Sequence, residues 1–140
     1  MKRILAFAAI LSVMTLQSCT TQTGTDNQTL NLEISGNYTL EFADGINLNE
    51  GFPTKVPTLI LESISKKLTG NTGCNQMFGS FTTKQNKISF SEMGATKMFC
   101  EGVKENEYLA LLNQVDSYKL NNNQLTFLNK EGKQILKYLK

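Results

Sequence analysis

The chain has 140 residues, with 14 lysines and arginines against 12 aspartates and glutamates, and its formal net charge is +2. It contains no histidine, which excludes nucleophilic catalysis by Ser–His or Cys–His pairs and removes the commonest zinc ligand. We therefore expect no metal, no cofactor and no enzymatic activity.

The N-terminus, MKRILAFAAILSVMTLQSC, has the pattern of a secretory signal peptide. Lys2 and Arg3 precede an almost unbroken apolar run over residues 4–16, which is shorter than the ~20 residues that a permanent membrane-spanning helix needs. The run leads into the sequence LQSC, which resembles the bacterial lipoprotein signal. This resemblance implies removal of a lipoprotein signal peptide, residues 1–18, and attachment of fatty-acyl chains such as palmitate to Cys19. The alternative is an ordinary signal peptide that has a cysteine at this position by chance.

The segment after the expected cleavage site has the composition of a tether. Residues 20–29, TTQTGTDNQT, include no aliphatic or aromatic side chain and cannot contribute to a core. We therefore predict a lipidated, flexible tether at 19–29 and one folded domain at 30–140. Thr20 is not the acidic residue that usually retains a lipoprotein at the inner membrane, which favours the periplasmic face of the outer membrane. Cleavage would remove two basic residues and no acidic one, so we expect no nucleic-acid partner for a neutral mature chain.

From residue 30 onward, apolar and polar residues alternate in short runs that are separated by Gly, Asn and Asp, which predicts β-strands. In chain order the first predicted strands are NYTLEF (37–42), TLILES (58–63), KKLTG (66–70), FGSFTTK (78–84), KISFSE (87–92) and ATKMFC (95–100). The first strand would place Tyr38, Leu40 and Phe42 on one face. The last would place Thr96, Met98 and Cys100 on one face. A long loop over residues 44–57 holds both prolines, and Gln85-Asn86 forms a hairpin turn.

The period then changes to that of a helix. The spacing of Tyr108, Leu111, Leu112 and Val115 predicts one helix over Val103–Gln114. Acidic residues at its start suit the helix dipole, and a carboxylate pair is the functional alternative for Glu101, Glu105 and Glu107. The remaining sequence predicts three meandering strands, so the chain as a whole is typical of a small antiparallel barrel or sandwich.

Two cysteines, Cys74 and Cys100, remain once Cys19 is lipidated. An even pair in an exported protein favours a disulfide, because that compartment is oxidising. Such a bond would contribute about 3–4 kcal/mol by loop closure. Two buried free thiols are the alternative. A redox-active pair is disfavoured, because the spacing is not Cys-x-x-Cys.

In the sequence GNTGCN, residues 70–75, Gly70 and Gly73 flank a predicted sharp turn at Asn71-Thr72. Gly70 and Gly73 suit a backbone with positive φ or a close backbone approach, and Asn75 can cap the loop with its side-chain amide. Gly79 lies between two phenylalanines, where a side chain would crowd a neighbour. A phosphate-binding loop is disfavoured, since a strand and not a helix follows.

These residues, taken in order, resemble the META domain of HslJ-like bacterial lipoproteins. The resemblance covers roughly residues 36–138 and rests on Gly70, Gly73, Cys74, Asn75, Gly79, Phe81, Thr96, Lys97, Met98 and Cys100. Tyr38, Phe81 and Lys97 stand where the family pattern usually has Trp, Tyr and Arg. The resemblance implies a mainly β fold with one helix, a small antiparallel, lipocalin-like β-barrel.

The resemblance and the N-terminal signal together predict a lipid-anchored, non-enzymatic protein of the cell envelope. It would act as a binding or envelope-stress accessory module. Its partner would be an unknown envelope protein or small ligand, and the N-terminal lipid would attach it to the membrane. The alternative is a small-ligand carrier that uses the barrel mouth. An estimate of nine strands predicts a largely filled interior, whereas a lined cavity of several hundred Å³ would favour the carrier.

Overall fold

A computed structural model describes residues 34–140. It contains eight strands, which are β1 (Gly36–Ala43), β2 (Thr58–Glu62), β3 (Lys67–Asn71), β4 (Gln76–Lys84), β5 (Lys87–Ala95), β6 (Ser117–Asn121), β7 (Gln124–Leu128) and β8 (Gln134–Leu139). Two helices accompany them, α1 (Leu48–Gly51) and α2 (Glu105–Leu112). Every strand is antiparallel to its neighbours and β1 pairs with β8, so the sheet closes into a barrel. The predicted fold class is confirmed, with two helices where one was expected and eight strands where nine were estimated.

One junction of the barrel is much weaker than the others. β5 and β6 pair at a single position, Lys87 with Ser117, while the strands on either side pair over most of their length. The connection between them contains α2, which buries Tyr108, Leu111 and Leu112. The predicted helix of Val103–Gln114 is therefore correct in place and shorter in extent.

The segment ATKMFC is not a strand, and that prediction is wrong. β5 ends at Ala95, and residues 96–100 have no regular structure. The backbone of Met98 is instead hydrogen-bonded to the side chain of Asn75, so it is not available to a strand ladder. Alternation of residue types alone does not show which partner the backbone groups will find.

Phe42 was expected on the same face as Tyr38 and Leu40, and this is also wrong. The pairing of β1 with β8 shifts register between Leu40 and Phe42, which is the mark of a β-bulge. A bulge adds one residue and exchanges the faces beyond it. Ala43 therefore points into the core at 2% exposure, while Phe42 is 36% exposed.

The inside of the barrel is filled by side chains. The largest fully buried ones include five aromatic residues, which are Tyr38, Tyr108, Tyr138, Phe81 and Phe127. The hydroxyls of Tyr108 and Tyr138 lie 2.9 Å apart, and the Tyr38 hydroxyl donates to the carbonyl of Ile34 at 2.9 Å. Each of these three tyrosine hydroxyls thus has the partner that burial demands. Burial raises the pKa of all three tyrosines, that of Tyr38 to about 12.

No helix within residues 34–140 has the length and apolar character needed to cross a membrane.

Candidate functional site

The turn that joins β3 to β4, residues 72–75, is closed by its own hydrogen bonds. The backbone N–H of Thr72 donates to the carbonyl of Asn75 at 2.9 Å, and the N–H of Gly73 donates to the side chain of Asn71 at 2.8 Å. Gly73 has a φ of +94°, and a Cβ there would lie 2.6 Å from the ring of Phe52. The predicted need for glycine at this position is confirmed by both conformation and space.

Gly70 and Gly79 leave room for closely packed neighbours in the barrel wall. A Cβ on Gly70 would lie 2.1 Å from the carbonyl oxygen of Thr58 and 2.8 Å from the methyl group of Met77. A Cβ on Gly79 would lie 2.7 Å from the sulfur of Met93. The prediction that a side chain at Gly79 would crowd a neighbour is therefore confirmed, although the neighbour is a methionine.

Asn75 connects the turn to residues 96–98. Its side-chain oxygen accepts from the N–H of Met98 at 2.7 Å and from the hydroxyl of Thr96 at 2.9 Å. Its amide nitrogen donates to the carbonyl of Met98 at 3.1 Å and to Glu105 at 3.0 Å. The sequence predicted a capping amide, and the structure shows that it caps a segment more than 20 residues away.

Glu105 attaches the start of α2 to the same turn. One carboxylate oxygen accepts from the hydroxyl of Thr72 at 2.5 Å, and the other accepts from Asn75 at 3.0 Å. Of the three acidic residues noted in the sequence, Glu105 therefore has a structural contact that helix-dipole reasoning did not reveal. Its position in the first helical turn was the only signal, and that signal says nothing about Thr72.

Cys74 and Cys100 form a disulfide with their Cα atoms 5.8 Å apart. The prediction of a disulfide is confirmed over the alternative of free thiols. The bond ties the turn to residues 96–100, which we call the clasped segment. Hydrogen bonds from Asn75 hold the near end of that segment and the disulfide holds its far end, so its backbone has little freedom.

The clasped segment exposes two apolar side chains. Met98 is 62% exposed and Phe99 is 92% exposed. Beside them lies a cleft of about 510 Å³ between the clasped segment and the first turns of α2, with Ala95, Val103 and Leu109 among its lining residues. Large apolar side chains on a rigid, exposed segment are typical of a binding surface.

The cysteines and the carboxylate of Glu105 in this site are all engaged in bonds to other residues. Both of its cysteines are in the disulfide, and both oxygens of Glu105 are hydrogen-bonded. No group of three or more histidines, cysteines or acidic residues lies close enough in residues 34–140 to hold a metal ion. The arrangement can present a surface to a partner.

The ten motif residues do not all meet at one place. Gly70, Gly73, Cys74 and Asn75 lie at or beside the turn, and Thr96, Lys97, Met98 and Cys100 form the clasped segment opposite it. Gly79 and Phe81 lie farther along β4, where Phe81 is fully buried. Cys19, the signal peptide of residues 1–18 and the tether of residues 19–29 lie outside the described residues.

Comparisons with known proteins agree with the motif. The sequence model of the META domain matches residues 28–140. An NMR structure of a protein from Burkholderia xenovorans superposes with a TM-score of 0.62 at 24% identity, covering 81% of this chain and 87% of that one. A second NMR structure has a TM-score of 0.55 at 22% identity and covers 74% and 86% of the two chains. No curated protein matches the sequence significantly. The structural neighbours share the fold, and the match over residues 28–140 shows that the chain belongs to the META domain family.

Proposed function

We propose that this META-domain protein is a lipid-anchored, non-enzymatic binding module of the cell envelope. The observation that carries the binding role is the clasped segment, in which Met98 and Phe99 are exposed on a backbone held by Asn75 and the disulfide. Exposure of apolar side chains costs free energy that burial in a partner recovers, at about 25 cal/mol per Å². A rigid segment also loses little conformational entropy on binding.

The anchor rests on a separate observation, the sequence LQSC at the end of the apolar N-terminal run. Lipidation of Cys19 would place the domain at a membrane surface, with the outer membrane favoured because Thr20 is not acidic. The disulfide supports an oxidising location, since such bonds persist in exported proteins.

Cys19→Ala tests the anchor. We expect the variant to remain unprocessed or to leave the membrane fraction, while mass spectrometry of the wild-type protein finds acyl chains on Cys19. Sucrose-gradient fractionation with protease treatment of whole cells then identifies the membrane and its face. A mature wild-type protein with an unmodified Cys19 would contradict the proposal.

Photo-crosslinking tests the binding role. A photoreactive phenylalanine analogue replaces Phe99 in the full chain within intact envelopes, and the matched control replaces Ile64, which is 90% exposed on the turn between β2 and β3. We expect a discrete crosslinked product from position 99 and none of the same mass from position 64. Identical product patterns at the two positions, or none at position 99, would contradict a specific binding surface.

The filled interior argues against the small-ligand carrier. Its expected cavity would have to lie among Tyr38, Phe81, Phe127 and Tyr138, all of which are packed in the core. Four clefts within residues 34–140, of about 260 to 510 Å³, are lined by turn, strand-end and helix residues instead.

A further inference from the structure

One edge of β5 has no strand beside it. β5 pairs with β4 from Lys87 to Ala95, but on its other side it pairs with β6 at Lys87 alone. Among residues 34–140, no strand lies along that side between Ser89 and Ala95. The edge therefore presents main-chain donors and acceptors that the barrel leaves without a ladder.

The backbone hydrogen bonds of Phe81 and Ile88 show which groups face this edge. The N–H of Phe81 donates to Lys66 at 2.9 Å, so the backbone of Phe81 points toward β3 and away from its paired residue, Phe90. In an antiparallel ladder, Phe90 must then point its own N–H and C=O away from β4. The N–H of Ile88 has the same direction and donates to Asp116 at 3.1 Å, where β6 begins.

The same reasoning applies at the other end of the strand. The N–H of Thr96 donates to the carbonyl of Gln76 at 3.0 Å, so Thr96 faces β4. The preceding residue, Ala95, therefore directs its N–H and C=O to the free side. Phe90 and Ala95 thus mark the two ends of an edge that no strand of residues 34–140 covers.

The free edge leads into the cleft beside the clasped segment. Ala95 is the residue of β5 that lines that cleft, and the volume of the cleft is about 510 Å³. The other lining residues are both apolar, such as Val103 and Leu109, and polar, such as Lys97 and Glu105. Phe90, at the other end of the edge, is half-buried and packs against the core. A strand edge that faces a helix across an open, partly apolar cleft has the elements needed to bind an extended peptide.

We propose that β5 binds an extended peptide segment of a partner protein, which adds a strand to the free edge between Phe90 and Ala95. This inference rests on the proposed binding function and names its partner chemistry. At roughly 3.3 Å per residue, the edge accommodates about five or six residues of peptide. Alternate side chains of that segment face the cleft, where Ala95, Val103 and Leu109 favour apolar side chains, and the others face solvent.

A bulge at Glu92 limits what can pair with this edge. Glu92 has a φ of +54°, and its carboxylate accepts from the hydroxyl of Ser80 at 3.1 Å. The register between β4 and β5 shifts here, because Ser80 pairs with Ser91 and Phe78 pairs with Gly94. A bulged edge is a poor template for a long, flat strand such as β5 of a second copy. The selected partner is therefore a short segment.

The probe is a phage-displayed library of random linear decapeptides, selected on the full chain purified in detergent. We expect enriched sequences with apolar residues at alternating positions. Amide hydrogen exchange then reports the geometry. The amides of Phe90 and Ala95 should exchange at least tenfold more slowly with bound peptide, whereas those of Ser89 and Ser91, which face β4, should change by less than about twofold.

N-methylation of the peptide removes the risk that a protein variant fails to fold. Methylation of alternate backbone nitrogens should weaken binding by about tenfold or more, and methylation of the intervening nitrogens should change it little. The proposal would be overturned if the library yields no enriched peptide. It would also be overturned if N-methylation weakens binding equally at all positions, or if bound peptide slows amide exchange only outside β5. A discrete crosslink at position 99 combined with any of these results would leave the binding function standing and reject strand addition alone.

Discussion

Asn75 is only 1% exposed, and its side chain is hydrogen-bonded to Thr96, Met98 and Glu105. A primary amide is suited to this position, because it has both an acceptor and donors at its end. The backbone of Met98 uses both kinds, through its N–H and its carbonyl. The path of the clasped segment therefore depends on one side chain.

Asn75→Ala should lower the free energy of unfolding by about 2–4 kcal/mol, because it removes the hydrogen bonds to Thr96, Met98 and Glu105, whose partner groups are partly buried. Urea denaturation of the two proteins measures the difference. Gln76→Ala is the matched control, since the side chain of Gln76 is exposed, and it should change stability by less than about 0.5 kcal/mol. Similar losses in the two variants would show that Asn75 has no special structural role.

Gly70 and Gly79 allow neighbouring strands to pack closely, and the atoms that face them differ in how easily they can move. At Gly70 a new Cβ would meet the backbone carbonyl of Thr58, which cannot move without separating β2 from β3. At Gly79 the nearest atom is the sulfur of Met93 at 2.7 Å, which belongs to a flexible side chain, and the nearest backbone atom is the carbonyl oxygen of Ser91 at 3.1 Å. The two positions look alike in sequence and differ in how far the structure can adjust.

We expect Gly70→Ala to cost more than about 3 kcal/mol of stability or to prevent folding. Gly79→Ala should cost only about 1–2 kcal/mol. Met93 can change rotamer, and the Ser91 carbonyl oxygen, at 3.1 Å from the new Cβ, needs a much smaller shift than the Thr58 carbonyl oxygen at 2.1 Å from a Cβ on Gly70. Thermal and urea denaturation of the two variants measure this order. Equal costs would mean that Met93 is held as firmly as the backbone.

The disulfide closes a loop, because it joins two cysteines that are 26 residues apart in sequence. Cys74→Ser and Cys100→Ser should each destabilise the protein by about 3–4 kcal/mol. The double variant should be no less stable than either single variant, since all three lack the same bond. Denaturation under non-reducing conditions tests this, together with a thiol count that should find neither cysteine free. Additive losses would instead indicate that each sulfur has a separate role.

The whole barrel encloses tyrosines whose phenol groups must stay neutral. Burial is the main cause that raises the pKa of Tyr38, Tyr108 and Tyr138 above the ordinary value. In the unfolded chain these groups ionise near pH 10. Above that pH the unfolded state therefore releases protons that the folded state retains. Stability is unaffected below about pH 10 and falls as the pH rises toward the folded-state pKa values.

A titration of stability between about pH 9 and about pH 11.5 tests this coupling. We expect the urea midpoint of the wild-type protein to fall steeply above about pH 10. The double variant Tyr108→Phe/Tyr138→Phe should show a shallower fall, because phenylalanine does not ionise and the two hydroxyls, which are paired with each other, are removed together. An identical pH dependence in both proteins would assign the alkaline transition to other groups.

Much of this architecture is local in origin and was predictable. Alternation along the chain identified the barrel strands, the turn at Gln85-Asn86 lies between β4 and β5 as predicted, and helical spacing located α2. The cysteine pair was predictable because two cysteines remained once Cys19 was assigned to a lipid. These features depend on residue types within one short segment, or on a simple count, and so a linear sequence contains them.

The features that the sequence did not predict depend on tertiary structure. Phe42 is on the outside because β1 meets β8 with a bulge, and residues 96–100 leave the sheet because Asn75 captures the backbone of Met98. The contact of Glu105 with Thr72 joins residues 33 apart in the chain. The free edge of β5 likewise depends on where β6 pairs, since Ser117 lies 30 residues after its partner Lys87. Backbone and side-chain polar groups bond to whichever partner the completed fold brings near. Periodicity within a segment contains no information about that partner.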